Sequence, residues 1–180
     1  MIRTLLAYPT SSSAPLFWQI ESTTTFSVTT LDLVYRISGD MRQIEIPKEQ
    51  AEPFRADNLW QATCCEVFLR RKNQPAPYLE FNFAPSGLWA FYRFSGYRKA
   101  LERPDVNAPP IIKSQIETEA LTLTANMPWS IINDHLPGTQ PLEAGISVIL
   151  KEKCGNMSYW AVKHSADKPD FHNPDSFFAL

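Results

Sequence analysis

Between residues 59 and 97, carboxylate, amide, guanidinium and indole groups recur at alternate positions along apolar runs. Glu66 lies in the run Leu59 to Arg71, Glu80 and Asn82 in Pro77 to Ala84, and Trp89 and Arg93 in Gly87 to Tyr97. If the three runs are neighbouring strands, these five side chains project from one sheet face. A polyhydroxylated ring is recognised by such a set: a flat aromatic for its C–H face, and carboxylate, amide and guanidinium groups for its hydroxyl edges. Trp160 and His164, four apart on a later strand, would share a face and join them. The same residues also suit an exposed sheet face with cross-strand Arg–Glu pairs, or a buried structural network.

Other groupings point to other chemistry. Glu66 and Glu80 on adjacent strands could serve as the two carboxylates of a glycoside hydrolase. His164, Asp167, Asp170 and His172 fall within nine residues, but their spacing matches no strong zinc signature, and they read as turn-capping partners around Pro169 and Pro174. Met41, Met127 or Met157 with His164 could in principle ligate a haem, yet methionines more often fill core gaps. Cys64 and Cys65 fall on opposite faces of a strand, away from any helix start that would stabilise a thiolate, and read as inert buried thiols. No cofactor and no metal is therefore assigned.

The elements that must position these groups are strands. Fifteen prolines and six glycines divide the chain into short segments rich in Thr, Val, Ile, Phe, Tyr and Trp. Strands are predicted over 3–8, 25–30, 32–38, 43–46, 59–71, 77–84, 87–97, 110–117, 120–126, 145–152 and 157–164, with short helices over 97–102 and 128–135. In 77–84, Leu79, Phe81 and Phe83 form a core face opposite Tyr78, Glu80 and Asn82. In 59–71, Cys65, Val67 and Leu69 oppose Cys64, Glu66 and Phe68. In 87–97, Leu88, Ala90, Tyr92 and Phe94 are taken as core, which puts Trp89 and Arg93 on the open face. A shift of one residue would exchange Trp89 for Tyr92. The turn Ala84-Pro85-Ser86-Gly87 makes a hairpin of the last two runs. Eleven short strands with almost no helix specify an all-β, antiparallel two-sheet sandwich, read as one domain over residues 1–180.

Composition narrows the partners. Seventeen basic against nineteen acidic residues leave a formal net charge of -2. That balance offers no footprint for nucleic acid or an anionic membrane. The longest apolar run, Leu88 to Tyr92, is far short of the roughly 20 residues of a membrane span. An N-terminus without a secretory pattern and an odd count of three cysteines predict reduced thiols and a cytoplasmic protein. The pattern assigns no oligomeric state.

The segments LWQATCCEVFLR, YLEFNFAPSGLWAFYRFSGYR, SYWAVKH and PDFHNPDSFFAL together resemble the DOMON-like proteins, which are related to the family-nine carbohydrate-binding modules. The most specific element is the hairpin Tyr78-x-Glu80-Phe81-x-Phe83-x-Pro85-x-Gly87. The resemblance runs from about Asp32 onward and implies a jelly-roll type sandwich. It also implies a ligand on the concave face of one sheet, a sugar or, in other branches, a haem. Sugar-binding members are typically secreted modules attached to an enzyme, whereas this chain reads as a lone domain. The expectation is a non-catalytic domain binding a carbohydrate or similar polar small molecule through Glu66, Glu80, Asn82, Trp89, Arg93, Trp160 and His164. A structural or protein-interaction domain and a two-carboxylate hydrolase are the alternatives.

Overall fold

The computed structural model describes residues 1–9, 17–47 and 54–180. Alternation of apolar and polar side chains is realised as β1 (Ile2–Ala7), β2 (Gln19–Phe26), β3 (Thr30–Ser38), β4 (Cys64–Arg71), β5 (Tyr78–Phe83), β6 (Trp89–Gly96), β7 (Lys99–Glu102), β8 (Ile111–Ile116), β9 (Ala120–Pro128), β10 (Leu142–Lys151), β11 (Met157–Ala161) and β12 (Phe178–Ala179). One helix, α1 (Trp129–His135), follows β9. Neither it nor any other described helix is long and apolar enough to cross a membrane.

The strands form a two-sheet antiparallel sandwich. One sheet has the order β1-β2-β3-β9-β8, the other β7-β6-β5-β4-β10-β11, with β12 beside the start of β10. Strand β1 belongs to both. Its first residues pair with β2, from Ile2 opposite Thr23 to Leu5 opposite Ile20, and its last two pair with β11, Leu6 opposite Ala161 and Ala7 opposite Trp160. The core between the sheets takes every second residue of each strand: Leu31, Leu33, Tyr35 and Ile37 from β3, Leu121, Leu123 and Met127 from β9, Val67 and Leu69 from β4, and Leu79, Phe81 and Phe83 from β5. Tyr35 carries a hydroxyl into this core and donates it to the Glu66 carbonyl at 2.8 Å.

Several expectations need correction. The strand expected over 25–30 lies earlier, at Gln19–Phe26, because Ser27 folds the chain into a turn by accepting the Thr30 N–H at 2.8 Å. Residues 43–46 make only an isolated bridge, Ile44 to Glu152, after a 3₁₀ turn capped by Asp40. The helix expected over 97–102 is strand β7, which pairs with β6 through Phe94 and Leu101.

The hairpin between β5 and β6 decides the site. A four-residue turn would set Phe83 opposite residue 88, joining even positions of one strand to odd positions of the other. Leu88 stays in the loop instead, its carbonyl accepting the Ala84 N–H at 2.9 Å, and Phe83 pairs with Trp89. The extra loop residue inverts the parity. Trp89 and Phe91 enter the core with Phe81 and Phe83, while Ala90, Tyr92 and Phe94 share the outer face with Glu80.

That outer face is also covered. Cys64, Phe68, Tyr78, Ala90, Tyr92 and Phe94 form a second apolar cluster under Leu59, Phe171 and Phe177. Gly145 of β10 makes room for Phe177, whose ring would lie 3.0 Å from a Cβ at that position.

Two outcomes follow. Phe81 is fully buried, so Phe81→Ala should lower unfolding free energy by about 3–5 kcal/mol in denaturant titrations. All three cysteines are free, Cys64 and Cys65 buried and Cys154 exposed. A bulky maleimide should modify Cys154 in the native protein and all three after unfolding without reductant; modification of Cys64 at the native rate would contradict this packing.

Candidate functional site

The outer face of β4, β5 and β6 forms the floor of a cleft of about 620 Å³. Glu66 of β4 and Glu80 of β5 lie on this floor with Phe68, Tyr92, Phe94 and Ile149. Glu66 stands opposite Asn82, and Glu80 stands opposite Phe68 on one side and Tyr92 on the other. The two carboxyls are thus diagonal neighbours. One wall is the segment before β4, carrying Asp57, Asn58 and Trp60. Its turn is possible because Asn58 adopts the left-handed conformation at φ 59°, where an asparagine is tolerated. The other wall is the segment after β11, carrying Pro169, Phe171 and His172; the β6–β7 hairpin adds Arg98 and Leu101, and the segment following it adds Arg103.

Both walls are tied to the floor. Tyr92 donates its hydroxyl to Asp57 Oδ1 at 2.9 Å, and Arg103 Nη1 meets Asp57 Oδ2 at 2.7 Å. Arg98 Nη2 pairs with Asp170 Oδ1 at 2.9 Å, and the Tyr97 hydroxyl donates to the other oxygen of Asp170. Partial burial opposes ionisation of Asp170, but these two donors outweigh it and hold its pKa below the usual carboxylate value. The Tyr78 hydroxyl accepts the Arg98 N–H at 3.1 Å and lies 2.9 Å from His172 Nδ1. The His172 ring thus lies between the Tyr78 hydroxyl at Nδ1 and Glu80 Oε2, which is 3.7 Å from Nε2. Burial, aided by Arg98, lowers His172 to about 4, so the ring is neutral near pH 7.

The floor carboxyls have only neutral hydrogen-bond partners among the described residues. Ser147 Oγ donates to Glu66 Oε2 at 3.2 Å, and Asn82 Nδ2 donates to Glu80 Oε1 at 2.9 Å. Burial, then repulsion from Glu80, pushes Glu66 well above the normal carboxylate range. Burial raises Glu80 to about 7 against the hydrogen bond from Asn82. The site therefore holds at least one un-ionised carboxyl at neutral pH, able to donate as well as accept.

The residues expected at a site divide three ways. Glu66 and Glu80 line the cleft. Asn82 shares their face but is wholly buried behind them, with its Oδ1 unpartnered. Trp89, Arg93, Trp160 and His164 are elsewhere. Trp89 is core by the inverted parity, and Arg93 on the same face reaches the His135 carbonyl at 3.3 Å and Glu102 at 2.8 Å. Trp160 is core because its partner Val148 faces inward. His164 lies beyond the end of β11, within 2.8 Å of the Leu6 carbonyl at the seam of the two sheets. Asp170 and His172 serve the two walls, and among the described residues no three potential ligands gather as a metal site. Tyr92 lines the cleft as the register-shift alternative to Trp89, and Trp60, Phe94, Arg98, Tyr159 and Phe171 line it without having been expected there. Tyr92 was recoverable from the hairpin length. Tyr159 and Phe171 converge only through tertiary packing.

No family model matches the chain, and no curated protein sequence is significantly similar to it. Solved structures do match in fold. A candidate carbohydrate-binding protein from Bacteroides uniformis ATCC 8492 superposes with a TM-score of 0.70 at 13% identity, over 100% of this chain and 85% of that one. A family-nine carbohydrate-binding module from Caldicellulosiruptor kristjanssonii in complex with glucose gives 0.59 at 10% identity, covering 93% and 78% of the two chains. A Caldicellulosiruptor kristjanssonii family-nine module in complex with cellotriose gives 0.54 at 9% identity, covering 89% and 71%. The chain thus shares the β-sandwich fold of these proteins.

The pKa of Glu80 has a consequence for stability. Folded, it holds its proton up to about pH 7; unfolded, it releases it near the ordinary 4.5. Its contribution is full below 4.5 and is lost as pH rises to 7, amounting to about 3 kcal/mol. His172 acts oppositely, because its depressed pKa adds stability between about 4 and 6.5. In the parent protein the His172 slope masks part of the loss from Glu80, to which Glu66, raised in the same sense, adds. Glu80→Gln keeps the acceptor for Asn82 and removes one slope. Its unfolding free energy relative to the parent should therefore climb by about 3 kcal/mol from below pH 4.5 to above pH 7. A flat difference would mean that Glu80 titrates normally.

Proposed function

We propose that this chain is a non-catalytic domain that binds a carbohydrate-like ligand in the cleft over β4, β5 and β6. The observation that carries the proposal is the meeting of two water-shielded carboxyls with aromatic side chains from three separate segments, Trp60, Tyr92 with Phe94, and Tyr159 with Phe171. Aromatic rings suit the C–H faces of a sugar, and carboxyls suit its hydroxyls. The resemblance to DOMON-like proteins and the glucose and cellotriose complexes of similar folds favour the same ligand class.

The carboxyl pair argues for binding over hydrolysis. A glycosidase needs its two groups pushed apart, one protonated and one ionised as base or nucleophile. Here burial raises both, and the charge of Arg98 only partly offsets it.

Calorimetry against glucose, cellobiose and xylobiose should detect dissociation constants on the order of micromolar to millimolar, as befits an open cleft. Glu80→Gln combined with Trp60→Ala should weaken binding at least about tenfold. Thr122→Ala, on the outer face of the other sheet, should change nothing. Unaltered binding in the double variant would remove the ligand from this cleft, and no binding to any sugar would remove the ligand class.

A further inference from the structure

Building on the carbohydrate reading, we propose that the preferred ring carries a primary ammonium group, an amino sugar whose cation is seated between Glu66 and Glu80. The cleft floor presents two carboxyls, and among the described residues neither forms an ion pair with a lysine or arginine; Arg98 favours their ionisation only from a distance. Glu66 receives one hydrogen bond from a hydroxyl and Glu80 one from an amide. Glu80 is only 6% exposed, yet it lines the cleft, and its Oε2 makes no hydrogen bond among the described residues. Its basic neighbour, His172 Nε2, stands off at 3.7 Å.

The two arginines of the cleft do not fill this role. Arg98 is committed to Asp170 at 2.9 Å and Arg103 to Asp57 at 2.7 Å. Counting these four with the floor pair gives four acids (Asp57, Glu66, Glu80, Asp170) against two bases, so the ionised cleft is short of two positive charges. A buried carboxylate without a counter-charge is costly, and protons retained on the floor carboxyls avoid that cost. A ligand that brings its own cation replaces those protons and recovers the attraction. A neutral hydroxyl can accept or donate there but leaves the charge unbalanced.

The surroundings suit an ammonium group as well. Phe68, Tyr92 and Phe94 border the two carboxyls, and aromatic rings around a desolvated site favour a cation. Arg98 and Arg103 lie in the walls, so the cation belongs on the floor and the hydroxyls toward the mouth. Binding is then coupled to proton release, because the floor carboxyls ionise as the ammonium arrives.

The test uses glucosamine, glucose, N-acetylglucosamine and cyclohexylamine as separate titrants, near pH 7, in two buffers of different ionisation enthalpy. Glucosamine should bind about tenfold tighter than glucose or N-acetylglucosamine, with protons released to the buffer. Glu66→Gln and Glu80→Gln, each checked by thermal melting, should bring glucosamine and glucose to similar affinity. Glucose or N-acetylglucosamine binding as well as glucosamine overturns the inference and leaves the carbohydrate reading intact. A preference for glucosamine that persists in both variants also overturns it. Cyclohexylamine matching glucosamine, with neutral sugars silent, supports the ammonium seat and overturns the carbohydrate reading. Silence from all four overturns both.

Discussion

The outer face of β4, β5 and β6 is kept dry, and the character of the site depends on that constraint. A sheet in a sandwich normally buries one face and wets the other. Here the segments around Leu59 and around Phe171 and Phe177 close over the second face as well. Any polar group on those strands must then be hydrogen-bonded, neutral, or supplied with a partner from outside. Tyr78 and His172 take the first course, Asn82 takes it through its Nδ2 alone, and Glu66 and Glu80 take the second. The walls are held by ion pairs of aspartates with arginines that reach in from the β6–β7 hairpin and the segment following it. Covering segments and floor are therefore one network. The shape of the cleft is thus fixed by contacts within the chain.

The strands were legible in the sequence because their period of two is enforced by burial on the core side. Leu79, Phe81 and Phe83 in β5 and Cys65, Val67 and Leu69 in β4 face inward as the alternation requires. Of the cleft lining, Glu66 and Glu80 were legible, and Tyr92 only as the alternative to Trp89. Alternation says which residues of a strand share a face but not how that face registers with its neighbour, and one extra loop residue after Ala84 sent Trp89 and Arg93 inward. Strand β7 escaped notice because four residues are too few to display a period, and its pairing with β6 is a tertiary fact. The covering segments carry no local signature at all. His172 reaches Phe68 and Phe94 across long stretches of chain, and only the packed structure brings them together.

Residue type proved a poor guide to role for the guanidinium groups. Arg71 is buried and donates to the carbonyls of Leu136 and Gln140 and to the Asn133 side chain, closing the end of α1 onto β4. Arg55 donates to the carbonyls of Pro104 and Phe91 and so ties two loops to the edge of the sheet. In each case the rigid fork of donors gathers orphan carbonyls that loops would otherwise leave unsatisfied. With so little helix, much of the irregular backbone is fastened by side chains, and arginine supplies the most donors for each residue ordered.

The shared strand β1 has a consequence for how this chain reaches its native state. Pairing of Leu6 with Ala161 joins segments separated by nearly the whole described length, and such distant pairings slow folding because a large loop must close before any contact rewards it. Until β1 is in place, β2 and β11 each present an unpaired backbone edge. An edge of that kind on a partly folded chain is a template for the β1 of another molecule. The same seam that unites the two sheets thus makes crowded synthesis the moment of greatest risk, with strand exchange between copies as the natural error.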